Sequence, residues 1–540
     1  MDCKYLEQGN EVLRLEAGQP VQANVTGAVV KRYSIELSLQ ELALVTLKTS
    51  GLSGSLAIID SAGRRVKGLI IDHNGEFPIA FVAETAQVYG IKLDFAAGAG
   101  CYILEWKQRL TVAEQIRENS KPRLEGQRII RLRRELNNDP RAVELFWREI
   151  KRLGTPLLEE NPDNPELALC TFLWRGMEQN VRVHLLFKTV LPNEYEMLRI
   201  EGTDVCYTTV QLPSTGRFAY RILVNARSGL PPDMDSTLYD RLIFFASAQA
   251  DPLNPRRCFS DSDSRYEEMS LLEMPAAPQQ PWTSLRSGIA CGSLKRYSLQ
   301  SAKLGNNRFV TVYTPPGYSR QAPPYGLLLV FDEQWFLTRI PTATILDNLL
   351  ADGKIPPLVA VLVGNGPGSA RNRDLPCNRL WAAFIAEELV PWLRQNYNIT
   401  GEPGRAIVTG ASYGGLAAAY VALNYPEIFG GVLSQSGSFW WQPPALTGQL
   451  HNFDPTQPNY MVSLFLEKEK LPLRFYLEAG SGEIDLTGSG RSILAANRHL
   501  RDVLLAKGYE VVYREFQGGH DFLSWRGTLA EGIMELTKGW

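Results

Sequence analysis

The stretch Arg405-Ala406-Ile407-Val408-Thr409-Gly410-Ala411-Ser412-Tyr413-Gly414-Gly415-Leu416-Ala417-Ala418-Ala419-Tyr420 decides how the carboxy-terminal half of the chain folds. A short apolar run, predicted as a strand, enters Gly410-Ala411-Ser412-Tyr413-Gly414, and the small apolar residues that follow carry a helix. The spelling G-x-S-x-G between a strand and a helix is that of a nucleophile elbow: small flanking residues let the backbone turn sharply enough to expose the serine hydroxyl. Ser412 gives the one match in the sequence and is the candidate nucleophile.

Outward from this turn, strand-like runs alternate with helical stretches. RFVTVYT, YGLLLVF, PLVAVLVG, RAIVTG, GGVLSQS, RFYLEA and EVVYREF are separated by segments such as LWAAFIAEELVPWLRQNY and ILAANRHLRDVLLAKG, whose apolar residues recur at helical spacing. Near-continuous apolar strands suit a mostly parallel sheet buried on both faces, so residues 285–540 are predicted to form a doubly wound α/β domain.

A serine hydroxyl needs a base to take its proton, and in this architecture a histidine is expected after the last strand. Of the five histidines, His520 in Gly518-Gly519-His520-Asp521 fits, directly beyond EVVYREF. His73 and His184 fall in β-rich regions, His499 inside an amphipathic helix, and His451 in a loop with no strand before it. The orienting acid should follow the preceding strand, in the order Ser, acid, His. Glu483 is the first choice, Asp485 its rival and Glu478, within the strand, a weaker one. An oxyanion hole needs two backbone donors, for which Tyr413, next to the nucleophile, and Gln334, in the loop after YGLLLVF, are the candidates.

The amino-terminal half reads differently. Residues 1–110 alternate polar and apolar in short runs (YSIEL, ALVTLKT, GSLAIID, CYILEW) between Gly-bearing turns, which predicts a β-sandwich. Residues 111–153 are charged with helical spacing and are predicted as a helical connector; residues 154–270 return to strand patterns and predict a second β-domain. Proline concentrates toward residues 271–284, predicted as a linker. For 540 residues, about three to five domains are expected.

Lys plus Arg (56) against Asp plus Glu (58) gives a net charge of -2, so there is no global basic field for a nucleic-acid partner. The seven cysteines are dispersed, with no C-x-x-C pair or neighbouring histidines, and signal neither a disulfide framework nor a metal site. MDCKYLEQGN lacks a basic n-region and an apolar h-region, and no run approaches the roughly 18 apolar residues of a membrane span, so no membrane association and a cytoplasmic location are expected.

The motifs also carry a family likeness. Gly410 to Ala417, Leu433-Ser434-Gln435-Ser436-Gly437-Ser438-Phe439-Trp440-Trp441, Gly518-Gly519-His520-Asp521 and Trp525-Arg526 closely resemble the enterochelin (enterobactin) esterases, of the esterase D-like branch of α/β-hydrolases. Arg371-Asn372-Arg373-Asp374-Leu375-Pro376-Cys377-Asn378 is similar to that family's Arg-x-x-Glu-Leu-Pro-Cys-Asn segment, and Leu477-Glu478-Ala479-Gly480 with Glu483 to its acid loop. Upstream, Thr171 to Gly176, Asp251-Pro252-Leu253-Asn254-Pro255 and Leu272-Glu273-Met274-Pro275 are similar to the family's Ig-like amino-terminal domain. The first 110 residues lie outside this likeness and faintly resemble a pre-peptidase carboxy-terminal β-sandwich, an accessory module.

The resemblance implies a serine esterase that cleaves a catecholate trilactone siderophore to catecholoyl-serine fragments, with iron present only as part of the substrate and no resident cofactor. It implies a basic and aromatic pocket for an anionic catecholate, to which Arg371, Arg373, Trp335, Trp440 and Trp441 are the candidate contributors. Two departures follow from the comparison of motifs. Glu333 stands where the family's loop carries Gly, which predicts a reshaped oxyanion loop or a negative charge facing the substrate, and Asp374 shortens the reach of the usual Glu. The alternatives are an esterase of the same branch acting on feruloyl or acetyl carbohydrate esters, or a siderophore-binding protein without turnover.

Overall fold

The computed structural model describes residues 12–96, 98–111, 124–178, 180–186, 194–225, 242–243, 245–258, 268–444, 459–484 and 492–540. The chain divides into two compact units. One comprises Met1–Leu185, Leu191–Ser214 and Ala219–Pro275, and the other Leu186–Val190, Thr215–Phe218 and Ala276–Trp540. The division at Pro275 falls inside the predicted linker, whose first residues instead belong to a strand, Met269–Glu273.

The first unit is β-rich. Its amino-terminal part forms a five-stranded sheet and a four-stranded sheet, the latter in the order Val21–Thr26, Ala99–Leu110, Leu42–Ser50, Gly75–Val82. Strand alternation puts Ile35, Leu56 and Ile91 of one sheet and Val45, Leu47 and Leu104 of the other into one core. A nine-stranded sheet follows. The helices Gln127–Leu136 and Ala142–Leu153 bury Ile129, Leu132, Phe146 and Trp147 against its Leu173 and Tyr207, so the segment expected to connect domains is part of this sheet's core.

The second unit is built on eight strands: β1 (Ser293–Ser301), β2 (Asn306–Thr314), β3 (Gly326–Phe331), β4 (Leu358–Val363), β5 (Ala406–Ala411), β6 (Gly431–Gln435), β7 (Arg474–Gly480) and β8 (Glu510–Phe516), in the order β1-β2-β4-β3-β5-β6-β7-β8. β1 and β2 are antiparallel, and all pairings from β4 to β8 are parallel. Every residue of β3 to β6 is buried, as a sheet covered on both faces demands. β1 has no counterpart in the sequence reading, because SLKRYSLQS is a largely exposed edge strand with no apolar run to reveal it.

Four helices matter for the site: α1 (Glu333–Thr338), α2 (Tyr413–Asn424), α3 (Ile493–Ala506) and α4 (Phe522–Leu536). Parallel pairing sets Ala411 opposite Gln435 and Gln435 opposite Glu478. The loops after β5, β6, β7 and β8 therefore leave the sheet at the same edge, the carboxyl edge where sites of such sheets are assembled.

Candidate functional site

The elbow is dictated by its glycines. A Cβ on Gly410 would lie 2.7 Å from the carbonyl carbon of Gly414, and one on Gly415 would lie 2.4 Å from Ser434 Oγ, so strand and helix could not meet so closely with larger residues. Between them Ser412 is held at φ 59°, ψ -121°, a conformation that L-residues rarely adopt and that the surrounding bonds enforce. Its N–H donates to Gln435 O at 2.9 Å, and its carbonyl accepts from Leu416 N and Ser438 N, each at 3.1 Å. Its Oγ lies 3.3 Å from Ser438 Oγ.

His520 follows β8, and its Nδ1 is hydrogen-bonded to Glu483 Oε1 in a short contact. Glu483 is fully buried beyond the end of β7, and its second oxygen accepts from Gly480 N at 2.6 Å, which fixes the carboxylate. Glu478 lies instead inside the sheet, accepting from Gln435 Nε2 at 2.9 Å and from Thr528 Oγ1. Asp485 lies outside the described residues. The imidazole also packs edge-to-face on Trp525, with ring centroids 4.8 Å apart. Asp521 caps α4, accepting from Leu523 N at 2.7 Å and Ser524 N at 3.1 Å; burial pushes its carboxyl up to about 7.

Asp332 lies between β3 and α1, in the left-handed region at φ 63°. Its carbonyl takes the N–H groups of Trp335 and Phe336, at 3.0 and 3.1 Å, and Gln334 stands exposed in the same first turn. Tyr413 opens α2, at the end of a helix where N–H groups face outward.

The arginines have defined partners. Arg371 grips the buried Asp332 through Nε at 2.7 Å and Nη2 at 2.9 Å, and Asn365 Nδ2 donates to the same carboxylate at 2.6 Å. The guanidinium lies 4.7 Å from the ring centre of Trp335 and 5.7 Å from that of Tyr413. Arg373 is largely exposed and pairs with its neighbour Asp374, whose carboxylate also holds the fully buried Arg308. The shorter acid at 374 thus serves an internal ion pair.

Glu333 is not left as an open negative charge. It is buried, bound in fork fashion by Arg296 at 2.9 and 3.0 Å, and it accepts from Thr311 Oγ1, so its charge is met from β1 and β2. The two adjacent tryptophans also differ from expectation as ligand platforms. Trp440 and Trp441 are 5% and 7% exposed and belong to the apolar core beside α2, because the turn after β6 carries them inward. Trp335 is half-buried and packs at a tilt against Phe522, with ring centroids 5.6 Å apart. Asp332, Ser438, Phe522 and Trp525 were not assigned roles from sequence. Ser438 and Trp525 stand in the quoted motifs and Phe522 two residues after His520, whereas Asp332 is revealed only by its distant partner Arg371.

Among the described residues no helix is long and apolar enough to cross a membrane. Comparison with known proteins matches the Esterase family model over residues 301–536 and the model described as enterochelin esterase, N-terminal, over residues 169–283. The chain is 31% identical over 429 residues to the iron(III) enterobactin esterase of Dickeya dadantii (strain 3937), covering 75% of this chain and 95% of that protein. It is 30% identical over 394 residues to the iron(III) enterobactin esterase of Escherichia coli (strain K12), covering 69% and 92%. The crystal structure of the enterobactin esterase from Shigella flexneri in the presence of enterobactin matches with a TM-score of 0.57 and 30% identity, over 71% of this chain and 96% of that one.

Proposed function

Because the chain belongs to the enterochelin esterase family, we propose that it is a serine carboxylic ester hydrolase that opens the trilactone of an iron-loaded catecholate siderophore of the enterobactin type, releasing catecholoyl-serine fragments. We read the second unit as an α/β-hydrolase domain, and the first as a β-sandwich followed by an Ig-like domain. The observation that carries the catalytic reading is the contact of His520 Nδ1 with the buried Glu483, on loops that leave the same sheet edge as Ser412.

In this mechanism Glu483 accepts the Nδ1 proton's hydrogen bond and so fixes the tautomer in which Nε2 is basic. His520 takes the proton of Ser412 Oγ as that oxygen attacks the ester carbonyl carbon. The carbonyl electrons move to oxygen, where the N–H groups of Tyr413 and Gln334 stabilise the charge. The intermediate collapses with cleavage of the ester C–O bond, and His520 protonates the departing serine alkoxide of the lactone. A water molecule, deprotonated by His520, then attacks the acyl-enzyme and returns Ser412 to its hydroxyl form.

Iron enters as part of the substrate, and the steps above need no resident cofactor. Trp335 and Phe522 offer half-buried aromatic faces to a catecholate, with Arg371 beside them supplying positive charge. A cytoplasmic location suits the free thiols of Cys170 and Cys206. The test is incubation with ferric enterobactin followed by chromatography. Stepwise appearance of catecholoyl-serine fragments, lost in Ser412→Ala, is expected. Turnover unchanged by that substitution, ligand binding with no products, or faster cleavage of feruloyl or acetyl sugar esters would overturn the reading.

A further inference from the structure

The loop after β6, Ser436-Gly437-Ser438, stands between the nucleophile and the histidine and touches the surroundings of both. At one end Ser438 approaches Ser412 twice: its N–H donates to the Ser412 carbonyl at 3.1 Å, and its buried hydroxyl lies 3.3 Å from Ser412 Oγ. At the other end Ser436 Oγ accepts from Trp525 Nε1 at 2.9 Å, and Trp525 supports the His520 ring edge-to-face.

The loop itself is rigidly fixed. Ser436 sits at φ 49°, its N–H donates to Glu478 O at 2.8 Å, and Gly437 O accepts from Asn497 Nδ2 of α3 at 2.8 Å. A Cβ on Gly437 would lie 2.5 Å from Ser434 Oγ and 2.6 Å from the Phe439 ring, so the small residue is required for the loop to close down here. Two hydroxyls and an indole N–H at such a place do more than fill space. Ser438 is the hydrogen-bond neighbour of the reacting oxygen, and the indole cannot tilt without losing Ser436.

We propose that Ser436-Gly437-Ser438 is a positioning strap, in which Ser438 sets the orientation of the Ser412 hydroxyl and Ser436, through Trp525, sets the plane of the His520 ring. The proposal rests on the reading of Ser412, His520 and Glu483 as the reacting set. Preorganisation of this kind acts on the rate of the chemical step and not on substrate affinity. Trp525 and Ser436 act as one unit through one hydrogen bond, so their losses should not add.

The experiment uses the full chain and four variants, Ser412→Ala, Ser438→Ala, Ser436→Ala and Trp525→Phe, with the Ser436→Ala/Trp525→Phe double variant. Three quantities are read: the rate of covalent labelling by a fluorophosphonate, kcat and KM on p-nitrophenyl acetate, and the pH profile of kcat/KM. Ser438→Ala is expected to slow labelling about five- to tenfold, the size of one neutral hydrogen bond, with KM unchanged. Trp525→Phe and Ser436→Ala are each expected to lower kcat and displace the acid limb of the profile, and the double variant to be no worse than the poorer single one. Additive losses, or a fall in melting temperature with labelling rate and profile unchanged, would overturn the strap. Labelling that persists in Ser412→Ala would instead overturn the underlying assignment of the nucleophile.

Discussion

Asp332 and Arg371, distant in sequence, form a two-pronged ion pair at 2.7 and 2.9 Å that ties the start of α1 to the short helix Ala370–Asp374 that follows β4. The carboxylate is buried and the guanidinium mostly so, hence removal of either partner leaves an uncompensated charge. The pair also has a catalytic consequence. Asp332 opens the turn that carries Gln334, so the pair holds one proposed oxyanion donor in place.

Arg371→Ala is therefore expected to destabilise the second unit by about 3 kcal/mol, read from denaturant melts. Arg371→Lys should restore part of this at most, because an ammonium cannot reproduce the fork. Asp332→Asn is the informative partner. It leaves the arginine available for a ligand, and a loss of kcat in this variant is expected if the pair serves the oxyanion loop. An Asp332→Asn enzyme with normal kcat, beside an Arg371→Ala enzyme with raised KM alone, would show that the arginine works only on substrate.

Trp335 and Trp440 should respond oppositely to truncation. Trp440 is packed in the core beside Tyr413, with ring centroids 6.3 Å apart, so Trp440→Ala is expected to cost about 3–5 kcal/mol of stability and to leave KM of the surviving folded enzyme unchanged. Trp335 is half-buried between Phe522 and Arg371, so Trp335→Ala should raise KM for a ferric catecholate several-fold at a smaller cost in stability. Melting curves and steady-state kinetics on the same preparations separate the two, and equal KM effects would contradict the assignment.

The contrast between these residues marks what could be read from the sequence. The positions of the elbow and of the acid loop were legible because each follows a strongly apolar strand, and local pattern fixes where such strands end, whereas His520 follows the partly exposed, charged edge strand Glu510–Phe516 and was picked out by the chain order Ser, acid, His. The polar edge strand Ser293–Ser301 was not, since half of its neighbours are water and no burial period is imposed. Trp440 and Trp441 resembled a ligand platform because burial is decided by how the turn after β6 rotates, a tertiary property. The Asp332–Arg371 and Glu333–Arg296 pairs were invisible for the same reason: the partners come from separate elements, and spacing along the chain says nothing of their meeting.

Glu333 gives a test of that last point. Its carboxylate is already paired with Arg296 and Thr311, so Glu333→Gly should not sharpen binding of an anionic substrate. The buried Thr311 hydroxyl loses its acceptor, and a stability loss of about 1–2 kcal/mol is expected from denaturant melts, while KM for the ferric catecholate stays where it was. A several-fold drop in KM would mean that the glutamate does repel substrate.

Glu478 predicts a pH dependence with a definite sign. Its carboxyl is fully buried within β7 and has one oxygen without a hydrogen-bond partner among the described residues. Burial pushes it up to about 8 from an ordinary 4.5, the nearby Glu531 and Glu483 add to the effect, and the bonds from Thr528 and Gln435 oppose it. The folded chain therefore keeps a proton that the unfolded chain releases. The associated stability is fully present below the ordinary carboxyl range and is lost progressively as pH rises toward and through 8. Glu478→Gln retains the size and the neutral charge of the protonated acid. Between about pH 5 and pH 9 its melting temperature should fall less than that of the parent, making the variant relatively more stable at the alkaline end. Asp521 is also raised, to about 7, but it is present in both proteins and cancels in the comparison. Parallel curves for parent and variant across that range would show that Glu478 is not the group that carries the proton.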